Sequence, residues 1–530
     1  MQFNLADLFE SLVDVIGERD ALVTSRERLT FRELDERANR LAAFLRAQGV
    51  GPRAHVGLHL YNGVEFVVSL LATLKLRAVP INVNYRYVSH ELRYLFDNAD
   101  LVALVTEAEL LPMAQAAAVD LPALKTRLVV GQGRHTEEGF DFETAVASGS
   151  PARDFPERSG DDIYIIYTGG TTGMPKGVMW RQEDMFFAGL QGGAPGGDPI
   201  TRPEELAENA LAECFTMHML TAAPFIHGAA QWGGFIGLFT GGKLVLQAGK
   251  SFDPDEIWRL IEREGVTTIT LVGDAMARPL ADALETGGYQ PSSLAVIASA
   301  GAVLSPSVRD QLRALLPDTL VLNNFGATET GHQGSAIPGM ETGREGRPTF
   351  FMDESNCVLD DDLRPAPPGV LGKLARGGRI PLGYYNDPEG TAARFTTIDG
   401  KRWVVPGDFA LLDEEGTITV YGRGAVCINT GGEKVFPEEV EEALKAHADV
   451  FDALVVGLPD ARWGERVAAV VAPRAGRDVT LEDLEAHCRN FVAGYKVPRS
   501  ILVVPHIERQ PSGKPDYKWA RELALKNLGV

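Results

Sequence analysis

Residues 167–177 read Tyr-Thr-Gly-Gly-Thr-Thr-Gly-Met-Pro-Lys-Gly, and they follow the β-rich run Ile163–Tyr167. Closely spaced glycines let a backbone turn tightly and point its N–H groups at phosphate oxygens. Three threonine hydroxyls add donors, and Lys176 adds a positive charge. The stretch matches neither a Walker A loop nor the GxGxxG pattern of a dinucleotide fold. It predicts a phosphate-binding loop of another kind, with a plain Gly-rich hairpin as the alternative.

Further along the chain, short β-rich runs alternate with helical patterns. Ser305-Pro306 predicts the start of a helix that continues to Leu316, with serine as the cap and proline at the first helical position. This alternation indicates a mainly parallel sheet covered by helices. The neighbouring predicted strands are Thr267–Val272, Leu294–Ile297 and Leu320–Leu322.

The last hundred or so residues predict a separate small α/β unit. Thr480–Asp483 resembles a capping box, and the helix after it is expected to run to Phe491. The segment Gly422–Ala425 contains two glycines and is suited to act as a pivot. We therefore expect domains of residues 1–424 and 425–530. The other predicted elements are a helix over Pro437–Ala446 and strands over Phe451–Val456, Val467–Val471 and Ser500–Val504.

Composition limits the partners. The 530 residues include 51 Lys and Arg against 72 Asp and Glu, a net charge of −21. A field this negative argues against nucleic acid or an anionic membrane surface as the main partner. The four cysteines show no CxxC spacing, which argues against a zinc site and is typical of a reduced, cytoplasmic protein.

Membrane association and targeting are not expected. The first residues lack the basic region of a signal peptide. The longest apolar stretch, Val64–Val83, is interrupted by Glu65, Lys75 and Arg77, so we expect a buried helix followed by a strand and no integral membrane segment.

Further motifs carry a family resemblance. Together with residues 167–177 they resemble, in order along nearly the whole chain, the adenylate-forming superfamily of acyl-CoA synthetases, firefly luciferase and peptide-synthetase adenylation domains. These motifs are Asn324–Glu329, Pro406–Asp408, Gly422-Arg423, Asn429–Lys434 and Pro511–Lys514.

The resemblance implies a fold and a reaction. The fold is α/β, with a large N-terminal domain of αβ-layered sheets plus a β subdomain, and a small mobile C-terminal α/β domain. Residues 1–424 would bind ATP and the acyl substrate, and residues 425–530 would form a lid that carries the catalytic lysine and gives access to coenzyme A. A carboxylate would attack the α-phosphorus of ATP, and the acyl-adenylate would then pass its acyl group to coenzyme A. ATP, Mg²⁺ and coenzyme A are the implied cofactors.

The matching motifs also imply residue roles. Glu329 would help bind Mg²⁺, Thr328 would contact phosphate, and Lys514 would bridge the carboxylate and the α-phosphate. Asp408, helped by Arg423, suits the ribose hydroxyls. The implied ATP-binding set is Thr168, Gly169, Gly170, Thr171, Thr172, Gly173, Lys176, Gly301, Ala302, Asn324, Phe325, Gly326, Ala327, Thr328, Asp408, Arg423 and Lys514.

Other motifs concern the acyl group, coenzyme A and the hinge. Phe225–Gly234 resembles the family's aromatic and histidine motif, with His227 as a catalytic residue beside the substrate carboxylate. The implied acyl-binding residues are His227, Gly228 and Gln231, the coenzyme A residues are Gly431, Gly432 and Lys434, and the hinge residues are Arg423, Gly424 and Ala425.

Four positions depart from the family pattern. Ala425 stands where Asp or Lys is usual at the hinge, so no long side chain anchors the domain there. Gly169 replaces a common serine, Phe325 replaces a tyrosine, and Pro515 follows the lysine and biases it toward extended geometry. No essential charge is lost, so we expect an active enzyme.

The acyl substrate and three further functions stay open at this point. Asn82–Tyr87, Gly273–Pro279 and Asn429–Lys434 are similar to actinobacterial acyl-CoA synthetases that act on fatty acids and steroid side chains, so a hydrophobic carboxylic acid is the expected substrate. The alternatives are an enzyme that loads a separate carrier protein, a luciferase-like oxygenase and an inactive scaffold protein. A homodimer is one open arrangement of the chain.

Overall fold

The structure is a computed structural model of the chain. It describes residues 1–131, 139–170, 173–302, 304–336, 349–351, 353–414, 416–430, 433–460, 463–510 and 514–528. The helices in these ranges are α1 (Leu5–Ile16), α2 (Phe31–Ala47), α3 (Val64–Lys75), α4 (Ser89–Asn98), α5 (Leu111–Ala117), α6 (Phe142–Ser148), α7 (Gln182–Gly189), α8 (Glu204–Leu211), α9 (Gly228–Phe239), α10 (Pro254–Glu264), α11 (Gly273–Gly287), α12 (Pro306–Leu315), α13 (Pro388–Arg394), α14 (Pro437–Lys445), α15 (Leu481–Cys488) and α16 (Tyr517–Leu528). Short 3-10 helices span Gln191–Gly193 and Gly424–Val426.

Two largely parallel sheets form the centre of the N-terminal part. The first contains β1 (Asp20–Val23), β2 (Arg28–Thr30), β10 (Met219–Thr221), β11 (Leu244–Val245), β12 (Thr268–Leu271), β13 (Val296–Ala300), β14 (Leu320–Ala327) and β15 (Gly331–Ala336), in the spatial order 15-14-13-12-10-11-1-2. The second contains β3 (His55–His59), β4 (Val79–Asn82), β5 (Leu101–Glu107), β6 (Thr126–Val130), β7 (Phe140–Asp141), β8 (Ile163–Gly170), β9 (Gly173–Arg181) and β19 (Gly383–Tyr384), in the order 19-9-8-4-3-5-6-7. The pairs of β12 with β13 and of β13 with β14 are parallel, as the alternating pattern predicted.

A third and a fourth sheet complete the described residues. The third is antiparallel and contains β16 (Thr349–Phe351), β17 (Asn356–Leu359), β18 (Leu371–Gly377), β20 (Phe395–Ile398), β21 (Lys401–Val404), β22 (Asp408–Leu412) and β23 (Thr417–Arg423). The fourth contains β24 (Ile428–Thr430), β25 (Glu433–Val435), β26 (Val450–Asp460), β27 (Gly464–Pro473) and β28 (Ser500–Val503), and α14, α15 and α16 pack around it with apolar clusters of their own. The α/β fold class expected from the sequence is confirmed.

Local signals explain where helices begin, with one correction. Thr30 and Glu33 form a capping box at α2, because each side chain bonds the other residue's backbone N–H. Ser305 occupies the cap position of α12 and Pro306 follows, as predicted, but no N–H of the helix bonds the serine hydroxyl. That hydroxyl lies 3.2 Å from the Ser307 Oγ instead.

The long apolar stretch forms α3 followed by β4, both almost entirely buried, which confirms the predicted helix and strand. The helix after Thr480 begins as expected but ends at Cys488. The expected extension to Phe491 was wrong, since the Phe491 side chain is 59% exposed and adds nothing to the buried face of the helix.

Candidate active site

The described residues of the threonine- and glycine-rich stretch form the end of β8 and the start of β9. Thr168 is paired with Lys176 and Gly170 with Gly173 across antiparallel strands. The described part of the stretch is therefore a pair of antiparallel strands, as in the plain hairpin that was the alternative. The predicted phosphate contacts Thr171 and Thr172 lie outside the described residues.

Lys176 contacts two residues that the sequence analysis did not identify. Its Nζ lies 2.7 Å from Asp387 Oδ2 and 5.0 Å from the centre of the Tyr384 ring, and its side chain is 43% exposed. The Lys176 hydrogen bond, together with one from the Gly390 N–H, holds the pKa of Asp387 below its usual range. Asp387 directly before Pro388 is a helix-start signal, and β19 beside β9 brings it to the hairpin.

Glu329 follows β14, and it is contacted by the segment 384–387 that also contacts Lys176. The Tyr384 hydroxyl donates to Glu329 Oε1 at 3.0 Å, and Trp180 Nε1 donates to the Thr328 carbonyl at 2.9 Å. A lone carboxylate is a donor that Mg²⁺ uses when phosphate oxygens complete its shell. Among the described residues, no group of three or more His, Cys, Asp or Glu side chains could hold a metal ion by itself. The donor set fits Mg²⁺ held by Glu329 and nucleotide phosphates.

A cavity of about 250 Å³ lies between the end of β14, the third sheet and the small C-terminal unit. Asp408, at the start of β22, is 8% exposed and stands opposite Arg423 in the strand register. The cavity brings together the following residues of the predicted ATP set: Gly301, Ala302, Asn324, Phe325, Gly326, Ala327, Asp408 and Lys514. We call this space the nucleotide cavity.

Several lining residues of the nucleotide cavity were missed by the sequence analysis. They include Phe350, Val420 and Tyr421 of the third sheet and Gln510 near the C-terminus. The Phe325 ring packs against Phe350 with ring centres 5.4 Å apart. No motif marks Phe350, Val420 and Tyr421, because they lie on ordinary antiparallel strands of the third sheet.

A second cavity, of about 170 Å³, adjoins the nucleotide cavity, and we call it the inner cavity. His227 and Gly228 line it at the start of α9, together with Trp232 and Ile236. A Cβ at Gly228 would lie 2.9 Å from the terminal methyl of Ile166, so a larger residue there would require the Ile166 side chain to shift.

Gln231 does not line the inner cavity, which corrects its expected role in acyl binding. The side chain is 4% exposed, and its amide nitrogen donates to the Phe225 carbonyl at 2.7 Å. Its amide oxygen accepts from the Tyr164 hydroxyl. Gln231 therefore anchors α9 to β8, and both ends of its amide are occupied by the fold.

Lys514 belongs to the C-terminal unit and lines both cavities. Its Cε would lie 3.6 Å from a Cβ placed on Gly301. The backbone at Gly301 has a φ of 80°, which favours glycine, and the missing side chain gives the lysine room.

The hinge and the coenzyme A residues are described only in part. Gly424 donates its N–H to the Gly407 carbonyl at 3.1 Å, and a Cβ there would meet the Phe409 ring at 2.5 Å. The side chains of Arg423, Ala425 and Lys434 lie outside the described residues, as do Gly431 and Gly432.

Comparison with known families defines the class of the protein. Residues 9–385 match the model of the AMP-binding enzyme family, and residues 439–514 match that of the AMP-binding enzyme C-terminal domain. The chain belongs to the AMP-binding enzyme family, and the predicted resemblance to adenylate-forming acyl-CoA synthetases is confirmed.

Individual relatives extend over almost the full length. The chain is 47% identical to the 3-oxocholest-4-en-26-oate–CoA ligase of Rhodococcus rhodochrous, covering 98% of this chain and 96% of the relative. It is 41% identical to the medium-chain acyl-CoA ligase Mig of Mycobacterium avium, covering 99% and 98%. The crystal structure of ATP-bound MatB from Rhodopseudomonas palustris covers 100% of both chains with a TM-score of 0.81 at 26% identity.

None of the helices in the described ranges combines the length and apolar character needed to cross a bilayer.

Proposed function

We propose that the chain is an AMP-forming acyl-CoA ligase that activates a hydrophobic carboxylic acid with ATP and transfers the acyl group to coenzyme A. The observation that carries this proposal is the position of Lys514 at the junction of the nucleotide cavity and the inner cavity. A carboxylate in the inner cavity and the α-phosphate of ATP would meet at this junction. A lysine there lowers the repulsion between the two anions.

In the first half-reaction, a carboxylate oxygen forms a bond to the α-phosphorus, and the bond from this phosphorus to the bridging oxygen breaks, so that pyrophosphate leaves. The chain contributes mostly position and charge to such a transfer. The β8–β9 hairpin and Lys176 hold the outer phosphates, and Asp408 holds the ribose. Glu329 would hold magnesium, which when bound would neutralise charge on the phosphates.

In the second half-reaction, the thiol of coenzyme A attacks the acyl carbon and AMP leaves. We propose that residues 425–530 turn as one lid about Gly424 between the two steps, while residues 1–424 hold the adenylate. His227 lines the inner cavity, where it can orient the acyl carbonyl. Gly431, Gly432 and Lys434 stay our proposed coenzyme A contacts.

The acid we propose is a medium- or long-chain fatty acid or a steroid side-chain carboxylate. The inner cavity supports this with an apolar wall that includes Trp232, Ile236 and Val272 and with glycines that leave space between them. The names of the relatives given above point to the same two classes. We also propose a cytoplasmic location, supported by four cysteines that form no disulfide.

Replacing Lys514 tests the first half-reaction. Lys514→Ala should reduce acid-dependent exchange of pyrophosphate into ATP by about a thousandfold, the scale of losing a principal electrostatic contact in a transition state. The matched control is Lys518→Ala, an exposed lysine on α16, which should leave the exchange unchanged. Exchange at near-normal rate by the Lys514 variant, with an unchanged thermal midpoint, would refute the assignment.

A substrate panel tests the class of acid. Fatty acids, steroid side-chain acids and amino acids are each offered with ATP and either coenzyme A or a holo carrier protein, and AMP release is measured. We expect turnover with the first two classes and coenzyme A. Turnover restricted to amino acids, or to the carrier protein, would overturn the proposal.

A further inference from the structure

One face of α11 carries three charged side chains at a spacing of four residues, Asp274, Arg278 and Asp282. This spacing places them on one side of the helix. All three contact side chains of the C-terminal unit, whereas α11 itself connects β12 and β13 of the first sheet. We call these three residues the α11 face.

The most deeply buried contact of the α11 face joins Asp274 to Lys445. Asp274 Oδ2 lies 3.4 Å from Lys445 Nζ, and each side chain is 4% exposed. The other oxygen of Asp274 accepts the Ser305 N–H at 2.8 Å, which fixes the carboxylate against the start of α12. Lys445 ends α14, the helix whose Glu438 and Glu442 border the nucleotide cavity. The pair therefore links the lid to the large domain beside the site.

Arg278, one turn further along α11, is buried without full pairing. Its side chain is 3% exposed, and its Nε and Nη2 have no hydrogen-bond partner among the described residues. The guanidinium lies 5.8 Å from the centre of the Phe451 ring of the lid, and burial lowers its pKa. Buried donors without acceptors cost free energy, which offsets part of the attraction that the carboxylates of Asp274, Asp282 and the lid's Asp452 exert on this guanidinium.

We propose that Asp274 is a positioning residue that, by attracting Lys445, holds the lid where Lys514 enters the junction of the two cavities. The proposal rests on the proposed function, because it assumes that the lid must dock for adenylation and leave for acyl transfer. The underpaired Arg278 keeps the docked position only slightly favoured, so that the loss of one attraction changes the docked fraction. The sequence offers no anchor at the hinge itself, where Ala425 stands.

The substitution Asp274→Asn isolates this role. Asparagine keeps an oxygen for the Ser305 N–H but removes the charge that faces Lys445. We expect acid-dependent pyrophosphate exchange to fall about tenfold, within the usual range of coupling between two protein conformations. Transfer of the acyl group from a preformed acyl-adenylate to coenzyme A should stay at the wild-type rate or rise. Asp310→Asn, an exposed aspartate on α12 paired with Arg309, is the matched control and should change neither rate.

A distance measurement makes the test independent of the reaction. Nitroxides are attached to the exposed Cys214 of the large domain and to an Asn490→Cys substitution in the lid, with Cys357 and Cys427 replaced by serine. Without any substrate, Asp274→Asn should broaden the distance distribution that the parent protein shows. Unchanged distances with unchanged exchange, or an equal fall in both half-reactions, would overturn the proposal. A parent protein that activates no acid refutes the proposed function alone, and the distances still decide the role of Asp274.

Discussion

Two groups of charged side chains in this protein, each with buried members, differ in how completely they are paired. The first, which we call the inner cluster, comprises Glu10, Asp35, Lys75, Arg153 and Arg158. Lys75 is fully buried, and its Nζ lies 2.5 Å from Glu10 and 2.6 Å from Asp35. Arg153 and Arg158 each bond a further oxygen of these carboxylates at 2.9 Å. Both carboxylates therefore use both of their oxygens.

The α11 face has the same kinds of side chain at longer distances. Asp274 and Lys445 lie 3.4 Å apart, and Asp282 and Arg474 lie 4.0 Å apart. Arg278 keeps two nitrogens without hydrogen-bond partners in the described ranges. In the described part of the chain, Asp274 and Asp282 each form one ion pair with the C-terminal unit, whereas Asp35 is shared by Lys75 and Arg153.

The difference follows from what each group joins. The inner cluster lies among α1, α2 and α3, which pack into one apolar core and stay together in the folded protein. A buried network in which each carboxylate is shared by two cations stabilises a single arrangement, although Arg158 Nη1 of the inner cluster also lacks a hydrogen-bond partner among the described residues. The α11 face joins two parts that we propose to separate in every turnover, and carboxylates shared in this way would slow the separation. Less sharing of the carboxylates is therefore what the proposed separation requires.

The largest effect should come from breaking the inner cluster. Lys75→Met leaves two buried carboxylates that Arg153 and Arg158 alone must neutralise, and losing one partner of a buried pair costs about 3–5 kcal/mol. We expect a lower thermal midpoint and an equal loss of both half-reactions at temperatures where the variant unfolds. The matched control is Lys250→Met, since Lys250 is 57% exposed and lies 2.8 Å from Glu109. The Lys250→Met substitution should lower the free energy of unfolding by less than about 1 kcal/mol. Equal midpoints for the two variants would contradict the comparison.

Replacing Arg278 should have a smaller effect than replacing Lys75, and it should stabilise a contact instead of weakening one. Arg278→Met removes the buried donors that lack acceptors and keeps an apolar chain against Phe451, so the docked lid should become more stable. Acyl transfer from a preformed adenylate should slow about fivefold, which corresponds to about 1 kcal/mol. Stopped-flow mixing with coenzyme A measures this rate, and the exposed Arg259→Met on α10 serves as the control. A fall in adenylation instead would show that Arg278 holds the lid in place.

Local sequence patterns predicted the parts of the structure whose causes are local. The β8 run leading into residues 167–177 forms a strand and hairpin, and the interrupted stretch Val64–Val83 forms a helix and a strand. The motif residues Asp408, Asn324 and Lys514 meet at one cavity, although the sequence shows them far apart. This prediction came from the resemblance of the motifs to those of the adenylate-forming superfamily, since nothing within a single motif indicates which other motifs lie beside it.

What the sequence could not show is which distant groups occupy a polar side chain. The resemblance of the histidine motif implied Gln231 as an acyl contact, but its amide is hydrogen-bonded to Tyr164 and Phe225. Asp387 reaches Lys176 only because β19 pairs with β9. The spacing of the α11 face is visible in the sequence, but its partner Lys445 is not. Such pairings depend on tertiary packing, which no local pattern encodes.

The smallest effect is expected at the exposed end of the α11 face. Arg474 and Asp282 are 36% and 39% exposed and 4.0 Å apart, so water and salt screen their attraction, which is worth less than about 1 kcal/mol. Arg474→Ala should therefore change pyrophosphate exchange by less than about twofold. In 0.5 M salt, where the Debye length is about 4 Å, the difference between the variant and the parent protein should disappear. Arg477→Ala is the matched control, because Arg477 pairs with Asp449 inside the lid. If Arg474→Ala reduced exchange as much as Asp274→Asn, exposed and buried contacts would hold the lid equally. The depth of the Asp274–Lys445 pair would then not be what positions Lys514.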